Sequence, residues 1–173
     1  MVRLKANQYK QRRHTTMDGS PEDLKFAADR MLGRLVKWLR VIGQDVIYGP
    51  QLTGYGLIRA ARRENRLILT RDRRLKKKQP PEFILIESDH YADQLLQVIE
   101  TCHLKPLRNL FSRCLVCNTP LQPKAKDWVK EIVPPYVFST QQRFFWCFQC
   151  QRVYWPATHH QRILEQLVSL GLC

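Results

Sequence analysis

The sequence predicts an α/β fold, in which a parallel sheet flanked by helices is followed by a small zinc-holding domain. Between residues 24 and 102, short apolar runs alternate with stretches whose apolar residues recur at helical spacing. That is the pattern of strand–helix–strand units closing right-handed into a parallel sheet. Four of the six cysteines stand in two Cys-x-x-Cys pairs, Cys114/Cys117 and Cys147/Cys150, a spacing that suits a metal better than a disulfide framework. The 29 lysines and arginines outnumber the 15 acids, for a net charge of +14, so a polyanion is the natural partner.

The bulk properties bound the rest. A chain of 173 residues that is 44% apolar can bury the core of one ordinary domain or two small ones. No run approaches the roughly 20 apolar residues of a membrane span, and the basic N-terminus is not followed by the apolar segment of a signal peptide. Cysteines paired for metal suit a reducing compartment. These features predict a cytoplasmic protein with no membrane association.

Residues 1–23 are polar and basic without apolar periodicity, and are expected to form a mobile arm or an extra contact for the polyanion. Residues 24–28 read as the first strand. Leu32, Leu35, Val36 and Leu39 then fall on one helical face, and Gly43 ends that helix. A second strand is expected over 45–48, a second helix over 57–64, a third strand over 66–70 and a fourth over 83–86. A helix over 91–102, with Leu95, Leu96, Val98 and Ile99 as its apolar stripe, completes a first domain spanning 24–103. Residues 104–111, carrying Pro106, read as a linker. The metal-binding part runs from Cys114 to about Trp155, and a closing helix over 160–172 presents Ile163, Leu164, Leu167 and Val168. The second unit therefore covers 104–173.

The two cysteine pairs lie 29 residues apart, so each can form a tight turn that aims both sulfurs at one point. Zinc favours four thiolates in a tetrahedron, and a shell with no open position is structural. An iron–sulfur cluster is the rarer alternative for the same four ligands. Cys102 and Cys173 stand apart. His159 and His160 are close in sequence, but the sulfurs already fill the shell, so both are expected at the surface or against nucleic acid.

In an open parallel sheet, ligands bind beyond the carboxyl ends of the strands. Asp29 follows the first strand, Asp72 the third, and Asp89 closes Glu87-Ser88-Asp89 after the fourth. Converging carboxylates repel one another unless a divalent cation, Mg²⁺ or Mn²⁺, neutralises them. Such a centre can make a water nucleophilic and stabilise charge on a phosphodiester in flight. Arg30, Arg34, Arg71, Arg73 and Arg74 flank the acids, and Lys76 and Lys77 extend a run of six bases between residues 71 and 78; all can meet phosphates. The competing reading is local, because Asp before a helix is a preferred N-cap and both Asp29 and Asp72 occupy such positions. Asp45 begins the second strand, at the other end of the sheet, and is expected to be structural.

These residues resemble the Mut-seven C-terminal ribonuclease family, a branch of the PIN-like nucleases with an attached zinc ribbon. The resemblance spans residues 24 to about 162. It rests on Phe26-Ala27-Ala28-Asp29-Arg30-Met31-Leu32-Gly33-Arg34-Leu35, on Trp38-Leu39-Arg40, on Leu69-Thr70-Arg71-Asp72-Arg73, on Ser112-Arg113-Cys114-Leu115-Val116-Cys117-Asn118, on Pro134-Pro135-Tyr136-Val137 and on Arg152-Val153-Tyr154-Trp155. It implies a PIN-like sheet, a zinc ribbon, and ribonuclease activity using Asp29 and Asp72, with Asp89 at a commonly acidic position. Relatives usually carry an acidic pair opening the second helix, whereas Gln51-Leu52-Thr53-Gly54-Tyr55-Gly56 has none. The usual Ser-His-Trp after the ribbon is here Thr158-His159-His160.

Phe144, Phe145, Trp146, Phe148, Tyr154 and Trp155 cluster about the second cysteine pair, interleaved with Arg143 and Arg152. Unpaired RNA bases stack on such rings. Strand alternation turns about half of them into the ribbon's own core, which leaves Trp146 or Trp155 as the expected platform. Two functions follow. One is a metal-dependent ribonuclease with Asp29, Asp72 and Asp89 as catalytic acids. The other is a non-catalytic RNA-binding or ribosome-associated module using the same positive surface.

Overall fold

A computed structural model of the chain describes residues 24–172. The basic arm expected over 1–23, Cys173 and the side chains of Thr158 and His159 lie outside the described residues.

Four strands, β1 (Lys25–Ala28), β2 (Asp45–Ile47), β3 (Leu67–Thr70) and β4 (Phe83–Leu85), form a sheet in the order β2-β1-β3-β4 with every pairing parallel. Three helices connect or follow them: α1 (Gly33–Val41), α2 (Gly54–Glu64) and α3 (Tyr91–Cys102). Alternate strand residues serve opposite faces. Phe26, Ala28, Val46, Leu69 and Ile84 pack with Leu35, Leu39 and Leu95, on the side covered by α1 and α3. Ala27 and Ile68 pack on the other side against Leu57, Ile58 and Ala61 of α2. Both faces are covered, so the strands are near-continuous apolar runs, as a parallel sheet requires.

The remaining chain builds a second sheet of three antiparallel strands, β5 (Gln122–Lys124), β6 (Phe144–Cys147) and β7 (Arg152–Tyr154), in that order. Its core is small: Val129, Val133 and Phe144, with Val137, Phe138, Val153 and Trp155 against them. A short helix, α4 (Pro135–Thr140), starts with proline in its first turn, where the missing N–H costs nothing. The last helix, α5 (Thr158–Ser169), brings the fully buried Leu167 into the α1–α3 layer, and its Gln166 side chain bonds the hydroxyl of Tyr91.

The elements read from the sequence are present with shifted ends. The helix expected over 57–64 begins three residues earlier, because Gly54 and Gly56 remain within α2. α5 stops at Ser169, ahead of Gly171 at φ 70°. Residues 104–111 contain no regular element, yet Leu104 is buried and the Phe111 N–H donates to Val41 O at 2.7 Å.

Candidate active site and zinc centre

The carboxyl ends of β1, β3 and β4 lie side by side because the strands are parallel and adjacent. Asp29, immediately after β1, is 2% exposed. Its N–H donates to Leu69 O, which fixes it to the neighbouring strand. It precedes a short 3-10 turn over Arg30–Leu32, but its side chain makes no capping hydrogen bond. One oxygen, Oδ2, accepts from the Thr70 hydroxyl at 2.9 Å. The other, Oδ1, is buried without a partner among the described residues.

Asp72 is half-buried, and it does cap: Oδ1 accepts from Arg74 N at 2.8 Å at the start of the 3-10 turn over Arg73–Lys78. The two acids are linked through Thr70, whose Oγ1 donates to Asp29 and accepts from Asp72 N at 3.0 Å. Asp89 is exposed in the turn between β4 and α3. Among the described residues, only the four cysteine sulfurs form a group of three or more potential ligands lying within 4.8 Å of one another. The three acids share one end of the sheet but are not drawn together to that distance.

The bases surround this end. Fully buried Leu75 pins the 3-10 turn to the α2 side of the sheet, so Arg73, Arg74, Lys76 and Lys77 project into solvent; Arg71, Arg30 and Arg34 are exposed as well. The opening of α2, which lacks acids, approaches the same turn. Lys78 Nζ sits 4.9 Å above the ring of Tyr55, a ring that is 65% exposed.

The four-cysteine cluster is built from two matching turns. Cys117 N donates to Cys114 Sγ at 3.5 Å, and Cys150 N donates to Cys147 Sγ at the same distance. Each turn ends on a residue in the left-handed region, Asn118 at φ 73° and Gln151 at φ 52°. Cys114 and Cys150 sulfurs are 3.9 Å apart, and Cys117 and Cys147 sulfurs 3.3 Å. Four thiolates about 2.3 Å from one ion stand about 3.8 Å from each other, so the cluster fits zinc. Burial opposes ionisation of Cys117, yet hydrogen bonds led by Thr119 bring its thiol down to about 6. The Tyr154 hydroxyl lies 3.1 Å from Cys114 Sγ, and against a thiolate it must be the donor, supporting a ligand from outside the metal's own shell.

The first cysteine turn is fastened to the edge strand β2. Arg40 of α1, only 4% exposed, donates to Val46 O at 2.8 Å, Leu115 O at 3.0 Å and Val116 O at 2.9 Å. Burial lowers the Arg40 pKa, and the nearby Cys114 and Cys117 work against that shift. Asn118 accepts from Val46 N at 3.0 Å and donates to Asp45 at 2.8 Å. Asp45 also pairs with Arg66 at 2.6 Å. Burial opposes its charge, but these hydrogen bonds hold its carboxyl below the ordinary carboxylate range.

Trp146 is half-buried and meets Trp128 edge to face at 5.0 Å, whereas Trp155 packs against the small core beside Val133 and Phe144. Sequence reasoning did not name Trp128, and it met Thr70, Arg40, Asn118 and Tyr154 only within motifs or the aromatic cluster, without the roles they take here. A legible signal existed for two of them: Arg40 adjoins the apolar stripe of α1, and Asn118 stands where a cysteine turn needs a residue that tolerates positive φ.

A family model described as the Mut7-C RNAse domain matches residues 24–167. No curated protein and no solved structure matches the chain.

Proposed function

We propose that this chain, which belongs to the Mut7-C RNAse domain family, is a divalent-metal-dependent ribonuclease whose site centres on Asp29. The observation that carries the reading is Asp29 Oδ1, a carboxylate oxygen buried without a partner among the described residues. An unsatisfied buried charge costs several kcal/mol, and a cation is what removes that cost. Oxygen donors suit Mg²⁺ or Mn²⁺. The division of the chain proposed here is a nuclease unit over 24–103 and a linker, zinc ribbon and closing helix over 104–173.

Asp29, Asp72 and Asp89 would hold the metal, with Thr70 donating to the Asp29 carboxylate and accepting from the Asp72 backbone N–H. When bound, the metal lowers the pKa of a water and offsets charge on the phosphate under attack. Arg30, Arg34, Arg71, Arg73, Arg74, Lys76 and Lys77 are exposed around that end of the sheet, where they would hold the RNA backbone. Trp146 and Trp155 would meet bases from the ribbon, whose four cysteines would hold structural zinc with no position open for chemistry.

The test is cleavage of single-stranded RNA by zinc-loaded protein across Mg²⁺ and Mn²⁺ concentrations. Cutting that requires either ion, and that falls at least about 100-fold in Asp29→Asn and Asp72→Asn proteins, is expected. Undiminished cutting by the double variant would remove these acids from the mechanism. Failure of the wild type to cut with any metal, with binding retained, would leave the non-catalytic RNA-binding or ribosome-associated reading.

A further inference from the structure

Trp128 lies on the 3-10 turn over Asp127–Val129, apart from the basic run at the sheet end. Its neighbour Val129 is fully buried with Val133 and Phe144, and successive residues of such a turn point about 120° apart. Seating Val129 therefore turns Trp128 outward, where it is 42% exposed. Leaving a ring this large in water costs apolar burial, and the surroundings brace it instead of covering it.

Two contacts do the bracing. Trp146 of β6 meets the Trp128 ring edge to face at 5.0 Å, and Lys124 Nζ of β5 lies 5.0 Å over the same ring. The β5–β6 register sets Gln122 opposite Trp146 and Lys124 opposite Phe144, so all four belong to one face of the ribbon sheet. Lys126 extends the positive edge, lying 5.1 Å over Phe138 and bonding Gln142 at 3.3 Å. Lys130 and Arg143 are exposed close by in sequence, with Asp127 and Glu131 the nearby acids.

A fixed, half-open indole with ammonium groups beside it is complementary to a flat ring joined to an anion. Nucleotides have that chemistry. We infer that Trp128, braced by Trp146 and Lys124, is a stacking platform for one unpaired base of single-stranded RNA, with Lys124 and Lys126 meeting the flanking phosphates. This rests on the RNA reading above and adds a strand preference to it: duplex RNA keeps its base faces stacked and gains nothing from the ring. A protein partner using the tryptophan as an anchor is the competing occupant.

The test measures binding of a labelled single strand of about 12 nucleotides, and of a duplex of equal length, to full-length zinc-loaded protein without added Mg²⁺ or Mn²⁺. Trp128→Ala should weaken single-strand binding about tenfold and leave the duplex unaffected. Trp128→Phe should retain most of the affinity, and Trp128→Leu, which keeps apolar bulk without a stacking face, replaces the alanine variant should that protein fail to hold zinc. Lys124→Ala should weaken binding and reduce the salt slope by about one, which Trp128→Ala should not do. Equal single-strand binding by the wild type and both Trp128 variants overturns the platform. So does a Trp128-dependent self-association with RNA affinity unchanged. Because no cleavage is measured, a protein that binds through Trp128 but never cuts would fail the nuclease reading alone, and one that cuts but binds independently of Trp128 would fail the platform alone.

Discussion

The two oxygens of Asp29 live in unlike surroundings, one bonded by Thr70 and the other buried with no partner among the described residues. Function and stability pull apart at that atom. Asp29→Asn keeps an acceptor for the Thr70 hydroxyl and removes the unpaired charge, so without added Mg²⁺ or Mn²⁺ the variant should be as stable as the wild type or more so, by about 1 kcal/mol in chemical denaturation. Arg40 presents the reverse case. Its guanidinium satisfies three carbonyls on two elements, and truncation leaves them buried and unmet. Arg40→Met should cost about 3 kcal/mol or more and quicken zinc release to a colorimetric chelator. Arg40→Lys should not rescue it, since one ammonium cannot span that fork of acceptors.

Among the elements, the three helices were legible from strongly periodic apolar patterns, such as Leu32, Leu35, Val36 and Leu39 on one face, and the parallel strands as the short apolar runs between them. The ribbon strands were less so. β5 is Gln122–Lys124 and contains a proline, which carries no apolar alternation, and its existence depends on pairing with β6. The acids could be placed at strand ends, but not distinguished as caps or ligands. The answer differs between them, since Asp72 caps a turn while Asp29 does not, and the distinction lies in side-chain partners that sequence does not encode locally. Fastening the cysteine turn to β2 likewise joins residues far apart in the chain, such as Asn118 and Val46. Because Asn118 covers an N–H of that edge strand, stripping the zinc should accelerate amide exchange at Val46 far more than at Ile68 in the interior strand β3. Equal acceleration at both would disconnect the ribbon from the sheet edge.

Over the whole molecule, charge sets the conditions under which these parts stay together. Asp45 joins Arg66 and Asn118, and hence the sheet to the cysteine turn. Its hydrogen bonds hold the folded carboxyl below the ordinary aspartate range, so its contribution is present above that range and is lost as pH falls through the folded value. Acid unfolding of the wild type should therefore include a step near or below pH 4 that Asp45→Asn lacks. The net charge of +14 gives the molecule a long-range attraction for polyanions such as RNA, while the site proposed at the ends of β1 and β3 would supply the chemistry. The most direct measurement of that site is titration of Mn²⁺ into zinc-loaded protein followed by electron paramagnetic resonance. Wild-type protein should remove free Mn²⁺ signal at a site lost in Asp29→Asn, whereas identical binding curves for the two proteins would contradict a metal centre at Asp29.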